Sequence, residues 1–557
     1  MSTRRLLASR FTGSSLMVLL VLAACGGSGR DDVSDSPDAA TTPHKINDNS
    51  GAFNGDAAAP GSGGNAEGRD PVDCNEAKTT HSYVGCDYWP TVTPNLVNPA
   101  FDFVAVVANT GANVADVTVT GPNGTGRKVT VDPGTLRKIY LPWAFDLKGT
   151  MYGSGSKRVQ TLIAPSSAYH LVSTSPVIVY QFNPLEYERK GGEGPNGEPK
   201  QWPKCNVLLE GGCNSYSNDA SLLLPSTAMT GNYRVIAIQG WKGKFVADSF
   251  TTVAYPPVLS ITATAPQTTV KVQLSTTASV EASAKGATSP AFSSVNVSVA
   301  QLVGQGADES DFSGSIVQAS SPVQVISSVQ AIQVQSSTHT ADHVEETVMP
   351  AETLGKQYVI ATPTNFDATP GAQLVRLFGN KDNTTLTYSP AKPAGCPDKL
   401  GAGQVVDCGV VGDAFVVAGD AEFGVATFLL GGKHYKNNNS ALGDPSQTTH
   451  PAIEQFRKNY VFLAPTDFPV LWADVTAPAN TTLQLDGAAV TAPWTKIGDG
   501  QWGVFRLDLT KSGKDGAHTL TSSNPVAVQV LGYATYASFE YPAGLNLNLI
   551  AQPPPLK

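Results

Sequence analysis

The sequence predicts an all-β protein of serial antiparallel β-sandwich-like units behind a disordered tether, with a propeller-like arrangement as the alternative. Three observations predict it. Apolar and polar residues alternate with a period of two in many short runs. Turn-forming pairs, Asn123-Gly124 and Asp486-Gly487, lie between or after such runs. Charged residues are only 15% of a chain with abundant Thr, Ser, Val, Gly and Pro, and long amphipathic helical patterns are missing.

The N-terminus comes first. Arg4, Arg5 and Arg10 precede the apolar run Leu16 to Leu22, which leads into Leu22-Ala23-Ala24-Cys25. A basic start, a short apolar segment and small residues before a cysteine spell an export signal, here of the bacterial lipoprotein type. The run is shorter than the roughly 20 residues that cross a bilayer. The expectation is a signal peptide at 1–24, cleavage before Cys25 and lipid on its thiol. Two or three acyl chains hold a protein to a membrane where one does not. Gly26, where an Asp would favour retention at the inner membrane, points to the outer membrane, with the protein facing the surface or the periplasm. An ordinary cleaved signal, leaving a free protein, is the competing reading.

Residues 25–70 are mostly Gly, Ser, Ala, Asp and Asn without apolar clusters, a composition that predicts a disordered tether. A coil of roughly 45 residues spans about 35–40 Å. Removing residues 1–24 removes three arginines and no acid, taking the formal charge from −9 to −12. That acidity argues against nucleic acid and against a basic membrane-binding face.

Six cysteines remain beyond Cys25, in three close pairs: Cys74 with Cys86, Cys205 with Cys213 and Cys396 with Cys408. Local disulfides are the simplest connectivity in an oxidising compartment. The spacings are not of the C-x-x-C kind, and only His81 lies between paired cysteines, so zinc is not expected there.

From Cys74 onward the period is two. Val117 and Val119 alternate with Thr118 and Thr120; Val270, Val272 and Leu274 with Lys271, Gln273 and Ser275; Val526, Val528 and Val530 do the same. One apolar face fits half-buried antiparallel strands. Only Ala452 to Lys458 looks helical, as one short turn after Pro451. The chain also echoes itself. Ser175-Pro176-Val177-Ile178-Val179 resembles Ser321-Pro322-Val323-Gln324-Val325 and Asn524-Pro525-Val526-Ala527-Val528, and Ala421-Glu422-Phe423-Gly424-Val425 is a degenerate copy. A second echo joins Tyr233, Tyr358 and Tyr460, each near a proline. The spacing is domain-sized. These echoes divide the chain into an N-terminal β domain at 71–200 and a β region at 201–557 of two to three sandwich-like units.

Candidate chemistry is sparse. His339, His343 and Glu345 are the nearest approach to a metal-ligand set, but no third ligand follows at a known spacing, and a polar loop is the plainer reading. No G-x-S-x-G is present to pair with His170, His434 or His450. Gly153 to Lys157 lacks the phosphate-loop order, and Asp308-Glu309-Ser310-Asp311 lacks the calcium-loop order and reads as a solvated loop. Tyr533, Tyr536, Phe539, Tyr541, Tyr88, Trp89 and Trp143 either stack on a partner or fill the core, and large rings are usually buried.

Four stretches carry a resemblance: Phe101 to Gly111, Asn218 to Pro225, Gly443-Asp444-Pro445-Ser446 followed by Glu454 to Tyr460, and Gly532 to Gly544. In this order they resemble the IgGFc-binding protein N-terminal domain family, in its bacterial lipoprotein form. The resemblance runs from about Cys74 to near the C-terminus. It implies an extracellular, non-enzymatic, β-rich module for binding or adhesion, with no catalytic motif and no cofactor. The functional expectation is a lipid-anchored surface protein that contacts protein or glycan partners. An exported hydrolase with a site assembled from distant residues is one alternative; a structural outer-membrane or extracellular matrix component is another.

Overall fold

Four strand paths, each bent from one sheet of a sandwich into the other, organise the fold. The computed structural model describes residues 70–149, 162–188, 200, 214–243, 253–276, 287–289, 294–298, 310–334, 341–432, 442–510 and 516–555. All lie within the compact unit Ala59–Lys557. Residues 25–69 of the tether, the signal at 1–24, Cys25, Cys205, Cys213, His339, His434 and Gly153 to Lys157 lie outside the described residues; Asp70, the last residue assigned to the tether, pairs with the buried Arg457.

The first path is His170–Phe182 and the last Ala517–Ala534. The second and third are interrupted: Ile316–Ala319 then Val323–Ile332, and Phe415–Gly419 then Phe423–Leu429. In the first path Ser173 pairs with Val117 of one sheet, while Ile178 pairs with Ala108 of the other. In the last, Leu520 pairs with Leu485 and Val528 with Val475. The changeover falls at Ser175-Pro176, Ser321-Pro322, Ala421-Glu422 and Asn524-Pro525, the echoes in the sequence. Proline offers no N–H to a ladder, so it suits the point where a strand leaves one sheet for the next.

Each bend is pinned by one buried tyrosine. Its hydroxyl donates to the carbonyl just past the bend: Tyr88 to Val177 O (2.6 Å), Tyr233 to Val323 O (2.5 Å), Tyr358 to Phe423 O (2.6 Å) and Tyr460 to Val526 O (2.5 Å). In three of them the same oxygen accepts a backbone N–H from three residues earlier: Thr230, Gly355 and Arg457, at 3.2–3.3 Å. A strand that changes sheets leaves its ladder partners, and the phenol satisfies the groups so released.

The result is four antiparallel sandwiches. In the first, one sheet holds Gly126–Val131, Ala115–Thr120, the start of the bent strand and Gly85–Tyr88. The other holds Leu136–Leu141, Phe103–Ala108, the end of the bent strand and Ala220–Leu222. The remaining three follow the same plan, with Asp342–Thr347, Gln447–Thr449 and Ala537–Pro542 as the strands equivalent to Ala220–Leu222. The sandwich reading therefore holds. Strands on both sides of residue 200 share sheets: Ala220–Leu222 closes the first sandwich, and Leu162–Ala164 edges a sheet of the second.

Phe103–Ala108 is buried along its whole length because both of its faces are covered. Phe103, Ala105 and Val107 face the first sandwich's own core, with Val117, Val119 and Val179. Val104 and Val106 instead join Tyr180, Phe182, Phe539 and Tyr541 against the fourth sandwich.

Asp486 (φ 51°) and Gly487 (φ 78°) form the two-residue turn between Leu483–Leu485 and Ala488–Ala489. Pro122–Gly124 is a 3-10 turn between two paired strands, with Gly124 at φ 71°. The helical reading of Ala452 to Lys458 shrinks to a 3-10 turn at Ile453–Gln455, because the strand Arg457–Leu463 begins at once. No helix among the described residues is long and apolar enough to cross a membrane.

Cys74 is bonded to Cys86 and Cys396 to Cys408, with Cα separations of 5.7 and 4.3 Å. Each closes a short loop. Replacing Cys396 and Cys408 with serine should lower unfolding free energy by about 2–3 kcal/mol. Chemical denaturation measures this, and an unchanged midpoint would mean the bond adds nothing.

Candidate functional site

His343 and Glu345 sit on Asp342–Thr347, a strand buried along its length and not a polar loop. The strand is enclosed because it packs where sandwiches meet. His343 Nδ1 lies 3.0 Å from Val329 O, which only accepts, so that nitrogen carries the proton. Its Nε2 faces Thr93 Oγ1 at 3.2 Å and Asn183 Nδ2 at 3.3 Å, and Glu345 Oε2 at 3.5 Å. Thr93 Oγ1 donates to Glu345 Oε2 at 2.5 Å, and Gln181 Nε2 donates to its Oε1 at 3.1 Å. Both side chains thus join the first sandwich to the second. Among the described residues no group of three or more His, Cys, Asp or Glu is arranged to hold a metal ion.

The other nominated residues are also structural. Asp311 is not on a solvated loop; it pairs at 2.7 Å with the buried guanidinium of Arg376, which also pairs with Asp407. His170 pairs with Asp87 at 2.7 Å and stacks on Trp89 with centroids 4.2 Å apart. His450 meets Thr427 Oγ1 at 2.9 Å, and burial pushes its pKa down to about 4, which keeps it neutral. Tyr88, Trp89, Trp143, Tyr533, Phe539 and Tyr541 are buried. Tyr536 is not.

The strands that close the four sandwiches meet at a polar junction. Asp219, just before Ala220–Leu222, accepts from Glu345 N (2.9 Å) of the second and Ser446 Oγ (2.8 Å) of the third. Ser446 Oγ in turn accepts from Glu540 N (2.8 Å) of the fourth. Burial raises the pKa of Asp219, Asp342 and Glu346 well above normal and that of Glu540 to about 8. Like-charged neighbours add to it: Asp219 feels Glu345, and Glu540 feels Asp474. This junction is sealed from solvent and cannot touch a partner.

The surface candidate is a run of three tyrosines. Tyr216 and Tyr536 are 41% and 43% exposed, whereas most other described tyrosines are buried. Buried Tyr187 sets its ring centroid 6.0 Å from that of Tyr216 at 74°, and Tyr216 is 5.9 Å from Tyr536 at 73°. Tyr216 is held by backbone ties: Ser215 N donates to Tyr187 O at 2.9 Å, and Asn214 bridges Glu188. Tyr536 occupies the tight turn between Ala517–Ala534 and Ala537–Pro542. Both have positive φ, 47° and 55°, a conformation that disfavours non-glycine residues. Burial pushes the Tyr187 phenol up to about 12 and, with Tyr536 beside it, also raises Tyr216. Both stay protonated at neutral pH and present neutral hydroxyls on electron-rich rings.

Comparison with known proteins adds a family. The family model described as IgGFc binding protein matches residues 219–532, more than half of the 557-residue chain. The chain belongs to this family. The IgGFc-binding match starts at Asp219 of the junction and takes in the tyrosine anchors Tyr233, Tyr358 and Tyr460. It is a family of binding domains and not of enzymes. The first sandwich, with Tyr88, precedes the matched stretch yet has the same plan. No curated protein matches. Among solved structures, an anti-sigma factor domain-containing protein is 10% identical over 57% of this chain and 93% of that one, with a TM-score of 0.11. The tetra-tandem repeat in the extending region of a large adhesion protein is 11% identical over 82% and 98%, with a TM-score of 0.08. Likeness at that level bears on neither fold nor function.

Tyr187 and Tyr216 escape sequence reasoning, as do the junction acids Asp219, Glu346 and Glu540. Local pattern holds no signal for the tyrosines, because both lie outside strands and Tyr216 meets Tyr536 of another sandwich. For the acids a signal exists: Glu345-Glu346 lies in a run alternating toward Val344 and Val348, and Glu540 sits between Phe539 and Tyr541. Acids inside such runs mark a strand with a buried polar face.

Proposed function

We propose that this chain is an exported, lipid-anchored, non-enzymatic binding protein of the bacterial outer membrane. Its partner is a protein or a glycan carried on one, as membership of a binding-domain family suggests. The observation that carries the reading is the exposed pair Tyr216 and Tyr536, held in unfavourable backbone conformations on an otherwise well-packed β body. Exposed tyrosines on a rigid scaffold are frequent centres of binding energy. Strained residues that persist on a surface point to function.

The anchor is tested through Cys25. Cys25→Ala should abolish incorporation of labelled fatty acid and the processing that follows it. Label entering the variant would overturn the lipoprotein reading. Binding is tested by retention of purified extracellular proteins on the full chain, wild type against Tyr216→Gly and Tyr536→Gly. Saturable retention lost in both variants supports the reading, and its absence from the wild type contradicts it.

A further inference from the structure

We infer that Tyr216 and Tyr536, with Tyr187 packed against Tyr216, form a platform for a single saccharide ring. This rests on the binding reading above and names its ligand class.

Size is the first argument. A tyrosine buries about 150–250 Å² when fully covered. At 41% and 43% exposure, the pair presents on the order of 150 Å². A stable protein interface takes about 800 Å² from each partner. The two rings alone offer enough area for one face of a small ligand, whereas a protein partner needs further surface around them.

Chemistry is the second. The face of an aromatic ring carries negative potential, and the C–H groups on one side of a pyranose are weakly positive and apolar. A sugar also needs donors and acceptors at its rim. Tyr216 Oη donates to Asn214 Oδ1 at 3.3 Å, which places an amide beside the ring. Thr535, Asn214 and the Glu188 carboxylate lie in the neighbourhood of the Tyr187 phenol. Hydroxyl, amide and carboxylate groups beside exposed rings set edge-to-face suit a polyhydroxylated ligand.

Strain is the third. φ values of 47° and 55° lie in the left-handed region, which disfavours tyrosine. Glycine meets no such penalty. At both positions a tyrosine stands where the backbone favours glycine, one before the closing strand of the first sandwich and one in a turn of the fourth.

The test uses the full chain and named probes: galactose, mannose, N-acetylglucosamine and their di- and trisaccharides. Saturation-transfer NMR reads the contact and titration reads the affinity. At least one probe should bind the wild type. Tyr216→Gly and Tyr536→Gly should each weaken it by about tenfold or more, and Tyr216→Phe should change it by less than about threefold, since the ring remains. The glycine variants should melt no lower than the wild type, which shows that they fold. Failure of every probe, or affinity unchanged in the glycine variants, overturns the saccharide platform. If a protein partner binds through Tyr216 and no sugar does, the platform falls and the binding reading stands. If neither binds, both fall.

Discussion

Glu540→Gln and Glu186→Gln should make the protein more stable at pH 8 and flatten its stability profile between pH 5 and pH 8. Burial raises both carboxyls to about 8 from an ordinary value of 4.5; Asp474 adds to the shift of Glu540, and Asp102 and Asp467 to that of Glu186. The sign follows from proton uptake. A folded state that holds its protons more tightly than the unfolded chain is most stable below the unfolded pKa. It loses that stability as pH climbs to the folded pKa. Each group therefore removes about 1.4 kcal/mol per pH unit over that window. Across three units the effect is about 4 kcal/mol per group at most. Asp219, Asp342 and Glu346 shift in the same direction. Glutamine mimics the neutral acid and does not titrate. Urea unfolding at pH 5, 6.5 and 8 reads the slope. A wild type that gains stability toward pH 8 would show these carboxyls to be ionised inside the fold.

The second large effect concerns the tyrosine anchors. Tyr233→Phe, Tyr358→Phe and Tyr460→Phe should each cost about 1–3 kcal/mol, since each takes the phenol from a buried carbonyl and from an N–H that is buried at Gly355 and Arg457 and half-buried at Thr230. Tyr88→Phe should cost a similar amount: its hydroxyl serves Val177 O and, at 2.9 Å, Tyr83 O. Tyr388 supplies the contrast. Its hydroxyl donates to Pro397 O at 2.7 Å in a partly exposed setting, where water replaces it, so Tyr388→Phe should cost less. Four similar losses would show the four sandwiches to be one plan repeated. A loss at one position only would show the shared geometry to be incidental.

Much of this fold was legible in the sequence, and the reasons are local. Alternation at Val117 and Val119 marks a strand with one wet face, and the Asp486-Gly487 pair marks a turn that needs positive φ. The Ser-Pro-Val echoes mark the bends, because proline is tolerated there and not within a ladder. What the echoes did not reveal is that each bend needs a phenol from far along the chain. Tyr88 and Val177 are 89 residues apart. Long-range partnership also explains the misread strand at His343 and Glu345. Polar residues suggested a solvated loop, but their partners Thr93, Gln181 and Asn183 come from the first sandwich. The surface tyrosines were legible only in part. Tyr536 stood out in an aromatic cluster, yet its neighbours there are buried, and its surface partner Tyr216 is some three hundred residues away.

Contact without turnover is tested most directly by binding and product analysis on one sample. The purified full chain is incubated with arrayed extracellular glycoproteins, and retained partners are eluted and weighed by mass spectrometry. Saturable retention that is lost in Tyr216→Gly and Tyr536→Gly, with the eluted partner unchanged in mass, is the predicted result. A partner that is cleaved or otherwise altered in proportion to the amount of chain present would contradict it.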